Sequence, residues 1–147
     1  MTQPFSGAAD GTSVTHAVVV HVVVTDEPPV PLPAELRYDR TDPYAVCLSL
    51  GGTPTGTVDW VFARSLLSEG LNRPVGVGDV LVIPPHHCHR HSVRIVVRSA
   101  AGAALLDIAA SAVTAFLAQS AIVVPPGTEG VHIDLDRVVA ELMAGSE

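Results

Sequence analysis

The chain has 147 residues, 48% of them hydrophobic and 16% charged, with a formal net charge of −7; it amounts to about one ordinary domain with apolar material for its own core, which excludes intrinsic disorder. All 8 basic residues are arginines and form no dense run, so the acidic balance opposes a phosphate backbone and argues against non-specific nucleic-acid binding. No stretch reaches the roughly 18 apolar residues of a membrane span, residues 1–11 lack the features of a secretory leader, and Cys47 and Cys88, without CxxC spacing, read as free thiols of a reducing compartment.

A valine-rich chain with 12 glycines and 12 prolines favours strands and turns. Residues 1–13 read as a loose tail and residues 14–147 as a single domain. Val14 to Val24 is almost all β-branched and predicts a long strand buried on much of both faces. His16 and His21, five apart within it, fall on opposite faces and share no ligand. Asp26 to Pro33 carries four prolines, which predicts an extended connector outside the sheet. Arg37-Tyr38-Asp39 leads into the turn signal Asp42-Pro43. Tyr44 to Leu50 and Thr57 to Ala63 then form a hairpin around the glycine-rich Gly51 to Gly56. Val58, Trp60 and Phe62 recur at period two and mark a core face. The pattern turns helical at Ser65, the expected N-cap, continues through Leu66 and Leu67, and is expected to stop at a left-handed Gly70.

Asn72-Arg73-Pro74 and Gly76 to Gly78 break and turn the chain. Strands are predicted over Asp79 to Ile83, Ser92 to Ser99, with Arg94 and Arg98 on one face, and Ala103 to Ile108. Ala109, Ala112, Val113, Phe116 and Leu117 follow the helical rule, giving an amphipathic helix over Ala109 to Ser120. A rigid turn at Val123 to Glu129 precedes a last helix over Asp134 to Ala144, capped by Asp134, with Leu135, Val138, Val139, Leu142 and Met143 as its buried stripe. The order is βββα-βββα-α, a weak internal repeat in pattern only. The fold class is α+β with mostly antiparallel sheet, because the short turns leave no room for helical crossovers.

His86-His87-Cys88-His89-Arg90-His91 is the obvious metal candidate, since His87, His89 and His91 would share a face in a strand. Pro84-Pro85 and the flanking strands instead make it a hairpin tip without converging ligands, so no metal or cofactor is expected. Cys88 has adjacent histidines but no oxyanion motif, and no hydrolase signature occurs in the chain. An enzyme is therefore not expected. Arg37, Tyr38, Asp39 and Tyr44, in and beside a turn, are the candidate partner-binding residues, because arginine and tyrosine on a rigid turn make strong interface anchors.

At Arg37-Tyr38-Asp39, Asp42-Pro43-Tyr44-Ala45-Val46, Trp60-Val61-Phe62-Ala63-Arg64 with Leu66-Leu67 and Glu69-Gly70-Leu71, Gly78-Asp79-Val80, and Pro125-Pro126-Gly127-Thr128-Glu129 with Asp134-Leu135-Asp136, the sequence resembles the SsgA-like family of sporulating actinobacteria, over about residues 14–142. The resemblance implies a non-enzymatic regulator of sporulation-specific septation. It would be cytoplasmic, act at the septum without membrane insertion, and have the tubulin-like protein FtsZ, other septal proteins and SsgA-like paralogues as partners. It also implies a fold similar to the whirly and guide-RNA-binding proteins, assembled as a trimer. Ser65 and Ile83 depart from the aspartate and tryptophan expected of the family. Two alternatives stand beside this reading: a single-stranded nucleic-acid-binding module, suggested by the whirly likeness alone, and a metal-binding enzyme using His86 to His91.

Overall fold

The computed structural model describes residues 12–23, 27–53, 56–87, 89–132 and 142–144. Eight antiparallel strands form one sheet: β1 (Ser13–Val23), β2 (Val30–Asp39), β3 (Ala45–Thr53), β4 (Gly56–Ala63), β5 (Val75–Val77), β6 (Val80–Ile83), β7 (Ser92–Ser99) and β8 (Gly102–Ala109). Their spatial order is β4-β3-β2-β1-β8-β7-β6-β5. Helix α1 (Arg64–Glu69) follows β4, helix α2 (Ala110–Val123) follows β8, and a short 3-10 segment occupies Glu129–His132.

The repeat is therefore ββββα twice, with one strand per half more than the sequence predicts. Both additions have a physical reason. The supposed connector is the start of β2: Pro31 and Pro33 pair with β1, but the β3 ladder covers only Ala34–Arg37. The prolines thus sit where one edge of β2 has no partner, which is where a strand tolerates them. In the second half, Val75–Val77 pairs with Val80–Val82 around Gly78-Asp79. Gly78 supplies the positive φ of 60° that this tight hairpin requires.

Strand alternation sorts the side chains into two faces. On one face Val14, Tyr38, Val46 and Phe62 form a row across β1 to β4, and His16, Leu36, Leu48 and Trp60 form the next. Val82, Ile95, Leu106 and Ile108 continue the buried surface in the other half. Val113 and Phe116 of α2 pack onto this core. His16 belongs to it as well, its ring edge-on to Phe116 at 5.9 Å and its Nε2 3.0 Å from Oε1 of Gln119. β1 is not buried on both faces: among the described elements α2 packs on the face that carries His16, and Val19 on the other is 55% exposed. The core face of β4 also tapers, from a buried Phe62 to an exposed Val58 at the hairpin end.

The two halves hold their helices in the same way. The residue before the third strand of each half offers its carbonyl to the first helical N–H: Tyr44 to Arg64 at 2.7 Å, and His91 to Ala110 at 2.8 Å. That bond replaces a side-chain cap at both helices, so Ala63 stands at the N-cap of α1 and Ser65 lies inside it. Gly70 is right-handed, with φ −65° and ψ −12°. Its reason is space: a Cβ there would overlap the Val82 side chain of β6. The expected helix from Asp134 lies outside the described residues apart from 142–144, where Leu142 and Met143 are exposed. Cys88 and most of the N-terminal tail also lie outside them.

Gly70→Ala is expected to lower stability by about 1–3 kcal/mol through overpacking. In a double-mutant cycle, Val82→Ala should make the added methyl less harmful. Additive effects in denaturant unfolding would show that the close approach does not matter.

Candidate functional site

Arg64 is the centre around which the described polar groups converge. Its side chain is 5% exposed, and both terminal nitrogens of its guanidinium are hydrogen-bonded. Nη1 donates to the Ser120 carbonyl at 3.1 Å, to Ser120 Oγ at 3.3 Å and to the Val124 carbonyl at 2.8 Å. Nη2 donates to Glu129 Oε2 at 2.8 Å. The Tyr38 ring lies beneath, 4.7 Å from the guanidinium carbon. The Ser120 carbonyl already accepts the Val124 N–H that closes α2; Arg64 adds a second donor there and satisfies the Val124 carbonyl just past the helix, a pairing open to a planar cation that also stacks on an aromatic face. Arg64 thus ties the first half of the chain to the end of the second. Sequence reading missed this role; the available signal was an arginine placed inside an otherwise apolar strand-to-helix switch.

The four partner-binding candidates do not act as one patch. Tyr38 points inward, 2% exposed, donates its hydroxyl to the Pro43 carbonyl at 2.9 Å and supports Arg64. Burial pushes its phenol pKa up. Its expected place at the surface is corrected: adjacent strand residues face opposite sides, so Tyr38 turns inward where Arg37 turns outward. Arg37 lies on the solvent side of the sheet, 3.5 Å from Asp59 and 3.8 Å from Glu35. Asp39 closes the turn, its Oδ1 accepting from the Thr41 amide at 2.8 Å and hydroxyl at 2.7 Å. Tyr44 is 53% exposed. A shallow hollow of ≈ 350 Å³ includes Arg37, Asp39, Cys47 and Asp59 in its lining. Pairs as open as those of Arg37 contribute at most about 1 kcal/mol, so its guanidinium is held loosely enough to exchange partners. Burial pushes the Cys47 thiol up, which keeps it protonated and a poor nucleophile at neutral pH.

The histidine segment is a hairpin tip, as expected. His86 and His89 bridge it, with amide-to-carbonyl distances of 3.2 and 2.9 Å. The turn destroys the alternation that would have aligned His87, His89 and His91. His86 instead gathers His87 and His89, at ring separations of 5.0 and 6.2 Å. No group of three or more potential metal ligands is assembled among the described residues.

Among the described residues, Arg37, Arg64, Arg73 with Glu69, and Arg94 with Asp107 are ion-paired. No helix among the described residues is long and apolar enough to cross a membrane.

Residues 32–129 match the family model described as "Streptomyces sporulation and cell division protein, SsgA". The chain is 44% identical over 135 residues to the sporulation-specific cell division protein SsgB of Streptomyces coelicolor, covering 92% of this chain and 98% of that protein. It is also similar to the solved SsgA-like sporulation-specific cell division protein of Thermobifida fusca, with a TM-score of 0.80 and 36% identity, covering 92% of this chain and 98% of that one. A structure solved in work on SsgB mutations that correlate to longitudinal cell division in Streptomyces coelicolor gives a TM-score of 0.77 at 45% identity, covering 83% and 96% of the two chains.

Arg64→Ala is expected to destabilise the fold by about 3 kcal/mol, because it strands buried acceptors. Arg64→Lys should recover little of this, since an ammonium cannot reach the same set of acceptors and stack on Tyr38. The hydrogen bond from Arg64 holds the Glu129 carboxyl below its ordinary value. A lowered folded pKa means stability present above the unfolded pKa and lost as pH falls through the folded one. Below about pH 4.5 the melting temperature should therefore fall more steeply in the wild type than in Glu129→Gln; parallel slopes would refute the coupling. Changing His87, His89 and His91 together to Ser should leave the melting temperature nearly unchanged, as should adding a chelator to the wild type; a large fall in either would make the tip a structural metal site.

Proposed function

The chain belongs to the SsgA family of sporulation and cell division proteins, and from that premise we propose that it is a non-enzymatic regulator of sporulation-specific septation. It acts by docking, helping to localise or organise FtsZ and the septal peptidoglycan machinery on the cytoplasmic side of the septum. The observation that carries this reading is the similarity to SsgB along nearly the whole of both chains, with a matching fold. The geometry is in keeping with it. Among the described residues, the buried cluster of Arg64 with Glu129 and Tyr38 is engaged in holding the chain together, while Arg37 and Asp39 are exposed at the end of β2 and Tyr44 is exposed in the turn that follows. An arginine and a tyrosine presented from a rigid turn suit a protein partner. The proposal includes a trimeric assembly and contacts with SsgA-like paralogues.

A whirly-like arrangement would leave single-stranded nucleic acid as the second reading. It is opposed by the net charge of −7 and by arginines engaged with carboxylates, since affinity for a phosphate backbone comes from free basic side chains.

Purified protein should co-sediment with FtsZ polymers, and Arg37→Ala combined with Tyr44→Ala should reduce the bound fraction while leaving thermal melting in place. The Tyr44 change removes only a side chain, so its carbonyl still accepts from Arg64. Undiminished binding by the double variant would move the interface elsewhere. No co-sedimentation by the wild type would remove direct FtsZ binding, and a monomer mass in light scattering would remove the trimer.

A further inference from the structure

The sheet ends at β4 on one side and at β5 on the other, and α1 packs against both of these edge strands. One six-residue helix therefore spans the gap between the two open edges. Beside it lies a hollow of ≈ 270 Å³, lined by Trp60, Val61, Phe62 and Leu66 from one side and by Val77 and Asp79 from the other. Val61 is 62% exposed and Val77 is 64% exposed, so the seam shows apolar side chains from both edges. β4 is eight residues long and, among the described residues, presents an edge without a neighbouring strand, the kind of edge that proteins usually blunt or cover.

Charge narrows the occupant. Asp79 is exposed and, among the described residues, its carboxylate has no ion-pair or hydrogen-bond partner; only its backbone carbonyl is engaged, by the Arg98 amide. None of the residues lining the hollow is basic. A second copy of this acidic chain would bring another net charge of −7 to the contact and nothing basic from this seam to meet Asp79, the one carboxylate in the lining. A basic segment neutralises it.

We propose that the seam between β4 and β5 is a docking site for an extended, basic segment of a partner protein, which adds as a strand to the free edge of β4 and sets an arginine or lysine against Asp79. Backbone hydrogen bonds to the edge supply affinity, and alternate apolar side chains enter the hollow beside Val61 and Val77. This surface is separate from the Arg37 turn and shares with the proposed function only the premise that the protein works by docking. Loss of peptide binding and loss of FtsZ co-sedimentation are independent results.

The probe is a fluorescein-labelled peptide, Arg-Val-Thr-Val-Thr-Val, titrated with the full chain and read by fluorescence anisotropy. Saturable binding is expected. Asp79→Asn should weaken it by up to about fivefold, the size of one exposed ion pair, and replacing the peptide arginine with glutamate should weaken it further. N-methylating alternate peptide amides should abolish binding in one of the two registers, because only one set of N–H groups faces β4. That comparison uses wild-type protein and stands even if a variant fails to fold. Absence of binding overturns the proposal, as does equal binding by both N-methylated registers. A sedimentation mass that falls on Val61→Glu would also overturn it, by making a second copy the natural occupant.

Discussion

The structure depends on a buried cation. Arg64 enters the interior at the point where β4 becomes α1, and its guanidinium donates to the Ser120 and Val124 carbonyls while pairing with Glu129. A charge so placed is tolerated only where its donors are met, so the turn after α2 must return to the same place in every folded molecule. Tyr38 completes the arrangement from beneath, anchored in turn by the Pro43 carbonyl. One side chain thus fixes the position of α1, the end of α2, and the turn between β2 and β3.

That constraint separates structure from surface along a single strand. Tyr38 belongs to the Arg64 assembly, whereas Arg37 belongs to the exposed face with Glu35 and Asp59. The division follows from the two-residue period of the strand. It leaves the inner face for packing and the outer face, together with the two sheet edges, for contact with other molecules. The outer face it leaves is broad and shallow, the kind of surface on which protein–protein contacts form.

The internal repeat has a mechanical meaning as well. Tyr44 and His91 occupy equivalent places, each giving its carbonyl to the first N–H of a helix. The histidine tip is therefore tied to α2 through backbone, which gives the segment a structural part independent of its imidazoles. Arg94 paired with Asp107 across β7 and β8 belongs to the second half alone. The halves share a backbone plan and differ in their side chains, which is why residue identity did not reveal the repeat.

The sequence by itself determined the fold class, the β3–β4 hairpin, the hairpin at the histidines and the apolar stripe of α2, because each rests on periodicity within a few neighbouring residues. Its motifs also carried the family. Prolines hid the start of β2 and a glycine pair hid β5, since whether such residues lie in a strand depends on which edge has a partner. Gly70 read as a conformational requirement and proved a steric one, set by Val82 across the fold. Only the tertiary structure decided that Tyr38 is core and Arg64 its hub, because the groups that satisfy Arg64 lie between 56 and 65 residues along the chain from it. Burial of a charge is settled by partners that no local pattern can bring together.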